Sequence, residues 1–294
     1  MKINRIIPGL IIILIINSCA TKQLTDEGNT AYKEGDFKSA LNAWDQVIET
    51  HESRGKKAEA VVYYKAGLAA KKLEQINKAR EYLETAEILE FSSPELYASL
   101  AEIYKTIDNL SKEINVLEDY HEKYPQGEKI NAITVRLFET YVESENWKLA
   151  VEIWPEIKDQ AQTNAELLAG YLVVNKNLEN KKLCDELAEK ILKLEPDNIT
   201  ALEWYAEKHY RKAENLYVKE MEAYKNNRTR SQYNKLLKEW DKIWPDFRKA
   251  RDYFLKLYRL DPKPEYAKFL GNIYTRLDKE KKAAYYYKKA KQSD

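Results

Sequence analysis

The sequence predicts an all-α chain, a right-handed α-solenoid of about seven helix-turn-helix units. Three observations carry this. Small and apolar residues recur with one period: the intervals from Gly67 to Ala101 and from Phe138 to Leu172 are both 34 residues. Within a unit, apolar positions fall at i, i+4 and i+7, the spacing of a single helix face. With only eight Gly and eight Pro in 294 residues, no period-two apolar run between turn clusters competes as a strand.

The units line up on the slot that opens each second helix, which holds Ala40, Ala79, Glu113, Ala150, Cys184, Ala250 and Ala283. Bulky partners follow one turn later at Trp44, Leu83, Leu117, Trp154, Phe254 and Tyr287, with Ala188 the small exception. First-helix contact positions hold Gly28, Gly67, Ala101, Phe138, Leu172 and Gly271. Pro125, Pro196 and Pro262 mark places where a helix must stop. Glu113 is the departure that argues against close packing in its unit. Cys184 fits the slot as a small apolar side chain.

In 264–291, Leu270, Gly271 and Tyr274 mark one helix and Ala283, Tyr287 and Ala290 the next. These positions resemble the tetratricopeptide repeat, and the resemblance extends over 25–54, 60–93, 94–127 and 128–194. It implies a concave face lined by first helices and a role in binding a protein or peptide partner. The residues on that face are Asn29, Tyr32, Lys33, Tyr64, Lys71, Lys72, Glu102, Lys105 and Glu139. The carboxylate clamp of cytosolic tetratricopeptide domains is not matched: Asn29 fits one slot, but Thr25 stands where a Lys is needed, and Lys65, Glu95 and Ser99 fill the later ones.

Residues 1–18 differ in kind. Lys2 and Arg5 precede an apolar stretch from Ile6 to Ile16, too short to span a bilayer core of about 30 Å. This is the pattern of a secretory signal. It ends Ile16-Asn17-Ser18-Cys19, which resembles a bacterial lipobox and implies acylation of Cys19. Cleavage after Ala20 is the alternative, since Ser18 and Ala20 also form a small–x–small pair. Ala20 beside the cysteine, rather than Asp, resembles signals that permit transport to the outer membrane. With Cys19 acylated, Cys184 is left without a disulfide partner. The expected organisation is a signal peptide at 1–18, five repeats over 19–198, an extended sixth at 199–262 and a seventh at 263–294.

Pro262 lies 66 residues after Pro196, about 30 more than one repeat of 34 needs. Thr200–Tyr224 reads as a long helix, Asn226-Asn227-Arg228-Thr229 as a turn, and a second helix resumes at Arg230. Pro245 either kinks that helix or restarts it. The aromatics Tyr217, Tyr224, Tyr233, Trp240 and Trp244 either pack on one another or form a docking prong in which Arg228, Arg230, Tyr233 and Trp240 contact a partner.

Without Lys2 and Arg5 the charge balance is 47 basic against 48 acidic residues. A near-neutral, heavily charged chain carries solvated faces of both signs and argues against nucleic acid. His51, His121 and His209 lie in different repeats with no ligand partners at metal spacing. No phosphate loop, nucleophile elbow or zinc-protease motif is present. The expectation is therefore no enzyme, no metal and no cofactor. A lipid-anchored scaffold of the cell envelope that binds a protein or peptide follows. The alternative is a glycan-binding lipoprotein, whose platform would need Tyr224, Tyr233, Trp240 and Trp244 exposed and coplanar.

Overall fold

The computed structural model describes the backbone of residues 9–291 and the side chains of residues 20–291. The leader residues Lys2, Arg5, Ile6 and Pro8 lie outside the described residues, as does the side chain of Cys19. Among the described residues the chain is helical throughout, with no strand, as expected. It divides after Thr140 into two compact units.

Unit 1 opens with α1 (Gly9–Lys33) and α2 (Phe37–Glu52), followed by α3 (Ala60–Lys72), α4 (Ile76–Ile88), α5 (Pro94–Thr106) and α6 (Leu110–Lys123). α1 is unbroken from the leader into the first repeat, because no Gly or Pro interrupts residues 10–27. Local signals set the starts of α2 and α5. Asp36 accepts from the Ser39 amide at 3.0 Å, and Ser93 from the Leu96 amide at 3.1 Å with Pro94 in the first turn.

α7 (Ile130–Glu143) begins in unit 1, and α8 (Trp147–Ile157), α9 (Ala165–Asn177) and α10 (Lys181–Leu194) lie in unit 2. They are followed there by the long pair α11 (Ile199–Asn226) and α12 (Arg230–Leu260), then α13 (Pro264–Arg276) and α14 (Glu280–Lys291). The turn within six of the seven pairs, all but α11–α12, carries a left-handed residue: Gly35, Glu74, Asp108, Glu145, Glu179 and Asp278 have φ between 54° and 81°.

The core is built where the repeat positions meet. All seven second-helix slots are buried, and so are the six first-helix contacts. A Cβ added at Gly28 would stand 2.7 Å from Trp44 Nε1, one at Gly67 2.7 Å from Leu83 Cγ, and one at Gly271 2.6 Å from the Tyr287 ring. Glycine is therefore needed at these three contacts between paired helices.

Glu113 corrects the expectation of loose packing. It is 2% exposed because Arg136 of α7 covers it with two hydrogen bonds, Nε to Oε1 at 2.6 Å and a second guanidinium N–H to Oε2 at 3.1 Å. Cys184 is fully buried, its Sγ 3.9 Å from the Leu172 carbonyl, and burial pushes its thiol up to about 11.

The insertion is a helical hairpin of 28 and 31 residues, against 13 for α13. At 1.5 Å per residue the two arms run about 42 and 46 Å. Thr229 caps α12, accepting from the Gln232 amide at 3.2 Å. Pro245 lies inside α12 without ending it. Around the base of the hairpin, Leu202, Ala206, Phe247, Phe254, Leu257, Leu270 and Ile273 form one buried cluster.

Candidate functional site

The first helices of unit 1 present their predicted residues on one side. Asn29, Tyr32 and Lys33 of α1 and Tyr64, Lys65 and Leu68 of α3 line a groove of about 360 Å³ floored by Trp44. Helical spacing explains the set, since residues three and four apart share a face. The groove is held in shape. Lys65 Nζ donates to Asn29 Oδ1 at 2.7 Å, Tyr32 packs against Trp44 at 5.7 Å between ring centroids, and Tyr64 stacks on Phe91 at 4.4 Å. Burial raises the hydroxyl pKa of both Tyr32 and Tyr64, and the nearby Glu95 carboxylate raises both further. Both phenols are therefore neutral hydrogen-bonding groups.

The remaining first-helix residues lie beyond this groove. Lys71 bridges from α3 to α5, donating to the buried Ser99 hydroxyl at 3.2 Å and pairing with Glu102 at 2.5 Å. Lys129 pairs with Glu95 at 3.4 Å. Glu139 accepts from Arg136 at 3.2 Å, joining the Glu113 pair. Lys72 and Lys105 are exposed. Of the nine predicted positions, four share the groove, Lys71 and Glu102 form an ion pair beside it, and three stand apart. Lys65 and Leu68 were missing from the predicted set. The signal for them was available: Lys65 adjoins Tyr64 at a clamp slot, and Leu68 stands one turn on.

Unit 2 carries a second polar cleft of about 670 Å³, with Trp204, Lys208, Arg211 and Lys212 of α11 facing Lys176 and Lys181. Its charges are largely internally matched. Lys176 pairs with Glu207 at 3.1 Å, Lys208 with Asp185 at 2.6 Å and Lys212 with Asp246 at 2.6 Å. Asp246 also meets His209 Nδ1 at 2.6 Å. Burial alone would raise the Asp246 pKa, but hydrogen bonds from Lys212 and His209 outweigh it and hold the carboxyl below its ordinary value.

The structure separates the four residues expected on the prong. Arg228, Arg230 and Tyr233 are exposed at the tip. Trp240 instead stacks on Tyr217 at 6.4 Å, with Trp244 at 5.5 Å, and its indole N–H is buried without a hydrogen-bond partner. The aromatics do pack on one another: Tyr224 meets Tyr233 at 5.7 Å, and the Arg276 guanidinium sits 4.3 Å over Tyr217. The planes of Tyr224 and Tyr233 are inclined by 52° and those of Trp240 and Trp244 by 42°, so these rings form no flat platform. Among the described residues no helix is long and apolar enough to cross a membrane.

Comparison with known proteins places the repeats. The family model described as Tetratricopeptide repeat matches residues 56–87, which span α3 and α4. A protein from Bacteroides ovatus ATCC 8483, assigned a protein-binding role only provisionally, is 21% identical and has a TM-score of 0.51, covering 76% of this chain and 99% of its own. The C-terminal part of a tetratricopeptide-repeat protein from Cytophaga hutchinsonii is 13% identical, also with a TM-score of 0.51, covering 90% and 92%. YrrB, described as a tetratricopeptide protein with an unusual peptide-binding site, is 18% identical with a TM-score of 0.48, covering 61% and 89%. Comparison of the sequence with curated proteins found no match. The fold is thus the all-α tetratricopeptide architecture, with an extended hairpin.

Proposed function

We propose that the chain is a non-catalytic scaffold that holds a protein or peptide segment along the first-helix face of unit 1. The observation that carries this is the groove: Asn29, Tyr32, Lys33, Tyr64, Lys65 and Leu68 converge from two repeats around one hollow. Two neutral phenols, an amide and two ammonium groups offer hydrogen bonds to a peptide backbone and attraction to its acidic side chains. Leu68 and Trp44 supply the apolar floor. Tetratricopeptide folds generally serve as interaction scaffolds, which supports the reading.

The Ile16-Asn17-Ser18-Cys19 sequence supports a further part of the proposal, anchoring to the bacterial envelope through acylated Cys19, with Ala20 favouring the outer membrane. Several acyl chains on one cysteine suffice for stable attachment.

Site-specific photocrosslinking in cells tests the groove. A crosslinking residue at Lys33 captures a discrete protein, while one at Asn42, exposed on α2, does not. Equal capture at both positions, or none at Lys33, would overturn the assignment.

A further inference from the structure

The tip of the α11–α12 hairpin is rich in basic residues and free of acidic ones. Between Ala223 and Lys238 there are five basic residues, Lys225, Arg228, Arg230, Lys235 and Lys238, and no acidic one, although acidic residues make up 48 of 294 overall. All five are exposed. Lys235 reaches back to Glu220 at 3.3 Å. The other four form no ion pair among the described residues. Two large apolar side chains stand out among them on α12, Tyr233 at 44% and Leu237 at 39% exposure. Being four residues apart, they share one face.

We infer that this tip is a membrane-contact element, seating Tyr233 and Leu237 in the interface of an anionic bilayer while the four unpaired cations meet lipid phosphates. Three observations favour a lipid surface over a protein partner. The acid-free tip comprises 16 residues, fewer than the roughly 20–30 that a standard protein interface takes from each side. The unit 2 cleft does not extend to the tip, since its lining residues end at Asn215. Long basic side chains flanking Tyr and Leu also suit the bilayer interface, where apolar parts insert and charged ends stay in water. Each cation near an anionic surface is worth about a five-fold gain in partition, so reversing two of them is expected to weaken tip contact by at least about 25-fold. This contact needs no acyl chain and is independent of what occupies the unit 1 groove.

Depth of a nitroxide label at the tip provides the test. The label is placed at Ser231→Cys in the full chain carrying Cys19→Ser, so that the leader is the same in every sample. The buried Cys184 thiol stays unlabelled. In vesicles of phosphatidylglycerol with phosphatidylcholine, power-saturation spectroscopy is expected to place the label at the interface. It returns to water in pure phosphatidylcholine, in high salt, and in Arg228→Glu/Arg230→Glu. A label that remains in water with the anionic vesicles overturns the inference. So does an interfacial label that ignores lipid charge, salt and the double reversal, because the leader alone would then account for it. A label that polyglutamate immobilises but anionic vesicles do not would assign the tip to an acidic protein instead.

Discussion

Gly67→Ala tests whether the repeat interior is set by contact between paired helices. Gly67 sits mid-way along α3, where alanine is intrinsically better in a helix by about 1 kcal/mol. Propensity alone predicts a more stable protein. The structure predicts the reverse, because the added Cβ would lie 2.7 Å and 2.8 Å from Leu83 Cγ and Cδ2 and 3.2 Å from the Leu83 amide nitrogen. Leu83 is fully buried, so its side chain cannot swing out to solvent. Overpacking of this kind costs about 1–3 kcal/mol, so the net expectation is a loss of about 1 kcal/mol. The Leu83→Ala background removes the obstructing atoms, and there Gly67→Ala is expected to stabilise by up to about 1 kcal/mol. Urea denaturation of the four proteins of this cycle gives the coupling directly. Stabilisation by Gly67→Ala in the otherwise unchanged chain, or the same effect in both backgrounds, would refute the packing argument.

Three further outcomes are expected. Arg136→Met leaves the Glu113 carboxylate buried and uncompensated and should lower stability by about 3 kcal/mol, whereas Glu113→Leu/Arg136→Met recovers most of the loss, as measured by urea midpoints. Asp246 has its pKa lowered in the folded state. Its contribution is thus fully present above its ordinary value of 3.8 and is lost as pH falls through the lower folded value. Asp246→Asn should flatten that acid limb of the stability profile. Cys184, with its thiol pushed up to about 11, should react with a thiol reagent at pH 8 only as fast as the protein unfolds, a rate read by absorbance in the presence and absence of urea.

The helix pairs were legible because the repeat records a contact. Gly28, Gly67 and Gly271 each stand 16 residues before the bulky side chain they face, Trp44, Leu83 and Tyr287, and only a touching pair of helices enforces that combination. The hairpin turn was equally legible, since Asn226 and Asn227 mark a chain reversal before the Thr229 cap. What periodicity could not give was depth and pairing. Trp240 lies on the helix face the spacing assigned to it, but Tyr217 and Trp244 cover it. Glu113 looked like a packing fault because its partner Arg136 is 23 residues away in another helix, and spacing does not say which charges meet. The within-pair turns were muted as sequence signals, with Glu74, Asp108, Glu145, Glu179 and Asp278 adopting positive φ where glycine would have announced it. Four of the groove's six first-helix residues, Asn29, Tyr32, Lys33 and Tyr64, were visible in the sequence. Its boundary is set by a contact that spacing does not show, because the Lys65–Asn29 bond joins two repeats.

The central claim, that a protein segment lies along the first-helix face of unit 1, is tested most directly by in-cell crosslinking read by mass spectrometry. The full chain is compared with Lys33→Glu/Lys65→Glu and with a deletion of 225–240. A defined protein partner is expected, lost with the double substitution and kept by the deletion. A partner kept by the double substitution and lost with the deletion would contradict the claim.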